Sequence, residues 1–327
     1  MRSLAKELEL INLGEPVYFG GLTLFPLFRK GLAMPEAGYS LLEEAVRQGV
    51  ARVTEVGEGG TVPELRFENS SDQPVLLFDG EELIGAKQNR VVNLTILAPA
   101  KQVVVIPVSC VEAGRWHFQS AAFRTSEHVM YSRARAAKAA QVSRSMTEHG
   151  SRRSAQGDIW LEIAAKSEAL GAPSPTGAMQ AIYDSKAVQI DAYVRAFTWA
   201  DCQAGVIFGT GSQTIGLDLL DHPQTMRSLL PKLVRSYALD AMEAPNAAKL
   251  GRSGATEFLE QVATAQSLIR PAIGMGEDWR ITGDRISGAA LWAERRCVHL
   301  CAFTTDDKPE HQEFHTRMTR PARRRSR

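Results

Sequence analysis

Apolar residues along this chain recur first with a period of two and later with a period of three to four, which predicts strands in the first third and helices after it. Residues 17–19 and 22–28, split by Gly20-Gly21, predict a β-hairpin. Ser40 with Glu43 three residues on is a capping-box start for a helix through Val46, with Gly49 as its stop. Residues 52–56 and 62–67 predict two strands around the turn Gly57-Glu58-Gly59-Gly60, followed by a polar loop at 68–72. Residues 75–78 are an apolar strand ending in the turn Asp79-Gly80. Residues 91–97 and 103–108, joined through Pro99-Ala100, predict two adjacent strands. The second is apolar on both faces and is expected to be covered on both.

Beyond Ala121 the spacing turns helical. An Ala-rich helix is expected over 131–146, inside a segment (124–153) with seven basic residues against two acids. That segment is either an arm closing over an anionic ligand or a solvated helix with a flexible connector. Residues 158–170 and 179–197 read as amphipathic helices, the second capped by Thr176. Residues 204–208 and 214–219 read as strands joined by a turn. Gly209-x-Gly211 lacks the third glycine of a dinucleotide loop at the required spacing, so a hairpin is the better account; no GxxxxGK[ST] loop occurs. Helices are expected over 222–242 and 256–267, and a closing β-hairpin over 279–303. Cys297, His299 and Cys301 alternate along one strand. Without a second ligand pair they read as core and not as a zinc site.

Composition narrows the classes. A hydrophobic content of 44% and charged content of 23% are those of an ordinary globular protein, and a net charge of +1 gives no global field for nucleic acid or an anionic membrane. No apolar run approaches the roughly 18–20 residues that span a bilayer. The first sixteen residues carry acids where a signal peptide has its apolar stretch. Four scattered cysteines do not form a disulfide framework, which points to a reducing, cytoplasmic setting. The final segment from Arg317 has six arginines and no acid; it reads as a disordered basic tail and is the one place where nucleic acid contact is conceivable.

Chemistry concentrates in residues 74–116, where apolar strands are interrupted by DGEELIGAKQNR and by VEAGRW. Glu81 and Glu112 could act as a general acid–base pair or supply oxygen ligands to a hard metal such as Mg²⁺. Arg90 and Arg115 could hold a phosphate bidentately, Trp116 could stack on a base or ribose, and Gln88 could fix a hydroxyl. The opposing account is structural ion pairing, Glu81 with Arg90 and Glu112 with Arg115, with Trp116 covering a core edge. Cys110 beside Glu112 is more simply a buried, inert thiol than a nucleophile.

These two motifs, with QGDIW at 156–160 and SPTGAM at 174–179, resemble the ARG-and-rhodanese-phosphatase-superfamily-associated protein family, a bacterial domain of unknown function. The likeness covers Leu10 to about Glu243 and places the family's motif on Gly80, Glu81, Gln88, Arg90, Glu112, Arg115 and Trp116. It implies a role near ADP-ribose or NAD-derived metabolism, because the family's name reflects association with ADP-ribosylglycohydrolases. The family has no established activity.

The expected architecture is α+β. A largely antiparallel β core (10–120) carries a helix-rich segment (121–270) and a second β unit in the C-terminal half, all in one integrated domain over 1–304. The expected function is binding or hydrolysis of a phosphorylated, nucleotide-type anion; a non-catalytic interaction module is the alternative. Oligomeric state and any cofactor are left open.

Overall fold

The structure is a computed structural model that describes residues 2–31, 36–57, 63–211 and 213–305. The basic tail from Arg317 and the glycine turn after Gly57 lie outside the described residues.

The chain opens with α1 (Leu4–Glu9), capped by the Ser3 hydroxyl, then β1 (Ile11–Leu13). β2 (Val17–Phe19) and β3 (Leu22–Arg29) form the expected hairpin, with Gly20 and Gly21 both at positive φ (53° and 80°) as a two-residue turn of this hand requires. β4 (Ser40–Leu41) leads into α2 (Leu42–Arg47). The helix is present but the capping box is not: Ser40 lies in a strand and its hydroxyl accepts from Gln73 Nε2. β5 (Ala51–Glu55), β6 (Glu64–Asn69), β7 (Val75–Leu77) and β8 (Glu81–Gly85) follow. The run 91–97 is two strands, β9 (Arg90–Val92) and β10 (Ile96–Ala98), because Asn93–Thr95 turns the chain from one sheet into another. β11 (Gln102–Cys110) and β12 (Phe123–Val129) complete the β-rich part.

The helical part is α3 (Ser132–His149), α4 (Gln156–Ala169), α5 (Met179–Ser185) and α6 (Ala187–Ala196). The segment expected as one helix over 179–197 breaks at Lys186, and its cap is Ala178; Thr176 donates instead to Glu112. β13 (Gln203–Thr210) and β14 (Gln213–Leu220) form the expected hairpin, followed by α7 (Pro223–Ala241), capped by His222, and α8 (Arg252–Thr264). The closing hairpin is a four-stranded meander of β15 (Gln266–Pro271), β16 (Glu277–Thr282), β17 (Ile286–Ala293) and β18 (Arg296–Thr304).

The class is α+β with mostly antiparallel pairing. β5, β6, β8, β9, β11 and β12 close a six-stranded barrel in the order β11-β6-β5-β12-β8-β9, filled by Val53, Leu65, Phe67, Leu83, Val92 and Ile106. β11 is not covered on both sides: it is a barrel wall, and Val103 and Val105 face out, each about half exposed. β10, β7 and β4 make a small second sheet. The third sheet has nine strands, ordered β1-β3-β13-β14-β18-β17-β16-β15 with β2 on β3. It therefore draws on both ends of the chain, and the barrel is inserted between β3 and β13; the second β unit of the C-terminal half, β13–β18, is joined in this sheet by β1, β2 and β3.

Alternate residues of the large sheet serve two cores. Ile207, Leu217 and Leu300 pack under α1 and α8, while Val206 and Phe208 pack under α6 and α7. The second core includes Phe78 and Val129, so α7 lies between the sheet and the barrel. A register shift between Leu291 and Trp292 puts Cys297 into the first core with Leu300 and Ala302, while Cys301 packs with Phe303. The alternation that seemed to align Cys297 with His299 and Cys301 is thus broken, and both cysteines are core residues. No helix among the described residues is long and apolar enough to cross a membrane.

Candidate functional site

β8 and β9 are the two arms of a hairpin whose turn, 86–89, sits at one end of the barrel. Glu81 starts β8 at the other end, about 13 Å away at the usual rise per residue. That distance divides the residues singled out from sequence. Gln88, Arg90, Glu112, Arg115 and Trp116 come together at the turn; Glu81 does not join them.

At the far end Glu81 is buried. One oxygen takes a bond from Lys232 Nζ of α7 at 2.9 Å, and the other accepts from the Phe78 amide at 3.4 Å. Lys232 also reaches Glu43 of α2 at 2.9 Å, so Glu81 helps join the barrel to two helices. The carboxylates of Glu81 and Glu112 share no partner and face no common space, which removes the geometry of an acid–base pair or a joint metal site. Among the described residues no group of three or more His, Cys, Asp or Glu is placed to hold a metal ion.

At the turn, Glu112 and Arg115 hold each other and the hairpin. Glu112 Oε2 accepts from Arg115 Nε at 2.7 Å and from the Asn89 amide at 3.2 Å, while Oε1 accepts from Thr176 at 2.9 Å. Arg115 sends Nη1 to the Ala86 carbonyl (3.1 Å) and Nη2 to Asn89 Oδ1 (2.8 Å) and the Gly85 carbonyl (3.3 Å). Its whole fork is thus used on the β8–β9 turn, where Ala86, a residue with a Cβ, is held at positive φ (42°) beside Gly85. Burial pushes the Glu112 carboxyl up, but the bonds from Arg115, Thr176 and Asn89 outweigh it and hold the group below the usual carboxylate value.

Arg90 differs. It faces the barrel interior, opposite Cys110 on β11 and Leu83 on β8, and has no exposed surface. Nη1 donates to Gln88 Oε1 at 2.9 Å, but Nε and Nη2 have no partner. Gln88 is itself fixed, donating to the Glu112 carbonyl at 2.6 Å. The Trp116 ring lies over the guanidinium, 5.6 Å from Cζ, and is 49% exposed, so one face of the indole meets Arg90 and much of the rest meets solvent. Glu55, at the end of β5 and opposite the inward Leu65, adds a carboxylate with both oxygens buried and unpartnered. Cys110 donates its thiol to Gln88 Oε1 at 2.8 Å, and burial pushes its pKa up to about 11 despite Arg90 nearby, so it stays a neutral thiol.

The barrel mouth therefore offers two unpartnered nitrogens of a buried cation, an unpartnered carboxylate and a half-exposed indole. Residues 10–303 match the family model of the ARG and Rhodanese-Phosphatase-superfamily-associated Protein domain. The chain belongs to this family. The match extends the likeness read from the motifs through the C-terminal meander, so the family's domain includes both the barrel and the nine-stranded sheet. No curated protein and no solved structure matches the chain.

The same family domain contains a second polar centre that the motifs do not mark. Between the barrel, α3 and the large sheet, Arg135 makes a two-bond fork to Asp218 (2.7 and 3.0 Å) and sends Nε to Asp79 at 3.2 Å. Lys138, one turn on, holds the other oxygen of Asp79 and the Asn93 carbonyl. His299 Nε2 lies 3.2 Å from Asp218 Oδ1, and its Nδ1 lies 2.7 Å from Thr95 Oγ1. The carboxylate can only accept, so Nε2 donates to Asp218, while Nδ1 pairs with the Thr95 hydroxyl. Burial pushes both aspartates up, yet Lys138 and Arg135 at Asp79, and Arg135 and His299 at Asp218, hold both below the usual value. The segment expected as either a closing arm or a solvated helix is in fact the helix that buries Arg135 and Lys138. The available signal was a charge inside an apolar strand run, Asp218 between Leu217 and Leu219, and His299 between Val298 and Leu300.

Proposed function

We propose that the barrel mouth binds an anionic, phosphate-bearing small molecule of nucleotide type, with Arg90 as its anchor. The observation that carries this is the pair of unpartnered nitrogens, Nε and Nη2, on a fully buried guanidinium. A buried cation with open donor positions is costly unless something fills them, and two oxygens of a phosphate match the spacing of the fork. Trp116 supplies a flat face for a base or ribose. Glu55 supplies acceptors for a ligand hydroxyl. Glu112, Arg115 and Gln88 hold the turn from which Arg90 projects.

Trp116 stands on the irregular stretch between β11 and β12 and covers Arg90, so it is the side chain that a ligand displaces. The family's association with ADP-ribosylglycohydrolases makes ADP-ribose and NAD the first ligands to test. Binding is favoured over acid–base hydrolysis by Glu81 and Glu112, because those carboxylates sit at opposite ends of the barrel with their oxygens engaged. A second reading, a protein-interaction module, draws on the exposure of both Trp116 (49%) and Phe118 (68%) on the same stretch.

Calorimetric titration with ADP-ribose, NAD, ribose 5-phosphate and inorganic phosphate tests the proposal. At least one phosphorylated compound should bind and its unphosphorylated counterpart should not. Arg90→Gln should weaken binding about tenfold or more, in line with losing a charged hydrogen bond. Trp116→Ala should weaken it with little loss of stability, which keeps the test open if the Arg90 variant folds poorly. Absence of any phosphate-dependent binding, or unchanged affinity in both variants, would overturn it in favour of the interaction module.

A further inference from the structure

In the seam between the barrel and the large sheet the buried charges are matched, Asp79 and Asp218 by Arg135 and Lys138, and Asp278 by Arg280. Inside the barrel they are present but not paired. Glu55 points inward, since it alternates with the core residue Val53 and lies opposite Leu65. Arg90 points inward too, alternating with Val92 and lying opposite Leu83. Around the closed ring β11-β6-β5-β12-β8-β9, strands β5 and β9 are three places apart in six, so the two side chains enter from opposite walls. Both stand at the end that carries the 86–89 turn, where β5 finishes and β9 begins.

Glu55 leaves both oxygens, and Arg90 its Nε and Nη2, without a hydrogen bond, although all four atoms are buried. The remaining nitrogen, Nη1, is used on Gln88 at 2.9 Å. The charge of Glu55 nonetheless reaches across: burial lowers the Arg90 pKa, and Cys110 and Glu55 oppose that. Whatever enters between the two walls meets donors on one side and, on the other, a carboxylate that when ionised can only accept. The entry is narrow. About eight strands make a barrel just wide enough for its own side chains; this one has six, and Leu65, Phe67 and Ile106 fill it below the mouth. A small end group fits there, with the rest of its molecule outside at Trp116.

A fully ionised oxyanion would satisfy Arg90 but set its own lone pairs against those of Glu55. Resting on the phosphate-binding reading above, we propose that the group taken between Arg90 and Glu55 is a terminal phosphate monoester that keeps one proton. Two of its oxygens accept from Nε and Nη2, and its P–O–H donates to Glu55. The opposite charges of the two side chains cancel, which suits this monoanion better than the dianion. Such a site selects monoesters such as ribose 5-phosphate. It rejects sulfate, which has no proton to give, and the pyrophosphate of ADP-ribose or NAD, whose phosphates are substituted on both sides.

The test is calorimetry on the full chain with ribose 5-phosphate, inorganic phosphate, ADP-ribose and sulfate at pH 6 and pH 8. At pH 6 ribose 5-phosphate should bind at least about tenfold tighter than sulfate or ADP-ribose, the difference made by one charged hydrogen bond. Its affinity should fall about tenfold or more by pH 8, because a phosphate monoester gives up its second proton near pH 6. Glu55→Gln replaces an unpartnered carboxylate by a neutral group that both donates and accepts, so it should admit sulfate and flatten the pH profile. Should that variant not fold, the sulfate and pH comparisons on the wild type decide alone. Sulfate bound as tightly as ribose 5-phosphate, a pH-independent affinity, or a folded Glu55→Gln variant that still excludes sulfate would each overturn the inference, while leaving Arg90 as a phosphate anchor. A sugar phosphate that binds equally at both pH values where inorganic phosphate does not would move the donated proton to a sugar hydroxyl, and overturn it likewise. No binding of any phosphorylated compound at either pH would overturn this inference and the phosphate-binding reading together.

Discussion

Glu112 and Arg115 show how the same two side chains can be read as site or as brace, and their hydrogen bonds decide for the brace. Every donor of the Arg115 guanidinium meets an acceptor on the hairpin turn or its neighbours. Arg115→Lys keeps the charge but loses the fork, so it should lower the stability of the free protein by about 1–3 kcal/mol in urea unfolding and leave ligand affinity nearly unchanged. Glu112→Gln should be destabilising by a similar amount at neutral pH, and its pH dependence gives a second check. The folded pKa of Glu112 is depressed, so its contribution is fully present above the usual carboxylate value and is lost as pH falls through the folded one. The difference in melting temperature between wild type and Glu112→Gln should therefore narrow below about pH 4.5. A constant difference down to pH 3 would mean that the carboxylate contributes through shape alone. Asp79 and Asp218 carry the same sign, so acid should loosen the seam as well as the turn.

At the scale of elements, α3 joins the parts. Its Arg135 and Lys138 are three residues apart, hence on one helix face, and that face is turned into the protein. Arg135→Met should cost about 3–5 kcal/mol in urea unfolding, because Asp218 and Asp79 are left as buried carboxylates with half their partners. Adding Asp218→Asn should recover part of that loss, and a recovery of nothing would argue against charge as the cause. Most of the elements themselves were legible in sequence. Period-two runs marked β2, β3, β5, β6, β13 and β14, and the three-to-four spacing marked α3, α4 and α7. What periodicity could not show is what each element packs against. Arg135 and Lys138 look like the solvated side of an Ala-rich helix until Asp218, 83 residues later, is seen to lie beneath them. Similarly, the charged turn 86–90 correctly marked a polar centre, yet a hairpin carries its first residue away from its turn, and so Glu81 left the group. Glu55 was missed because its strand reads as ordinary wall, and only closure of the barrel brings it to the same interior as Arg90.

On the scale of the whole molecule, the nine-stranded sheet depends on both ends of the chain. β3 pairs with β13 from Leu22 opposite Thr210 to Phe28 opposite Gln203. A fragment of residues 130–327 would lack that strand and expose the apolar edge of β13, so it should not give a stable monomer; near-ultraviolet dichroism should show lost tertiary packing. Supplying residues 1–39 in trans should restore the signal, and a fragment that folds well alone would show the C-terminal strands to be autonomous after all. The same pairing also bears on the order of events at the ribosome. All six barrel strands come from one contiguous stretch and can pair soon after they emerge, whereas β3, with its apolar sequence LTLFPLFR, waits for about 180 further residues before β13 appears. At common rates of synthesis that is on the order of ten seconds or more with an unsatisfied, aggregation-prone strand beside a barrel already formed. The nascent chain thus passes through an obligatory interval in which its N-terminus needs a chaperone or must rest provisionally on its own β2 hairpin.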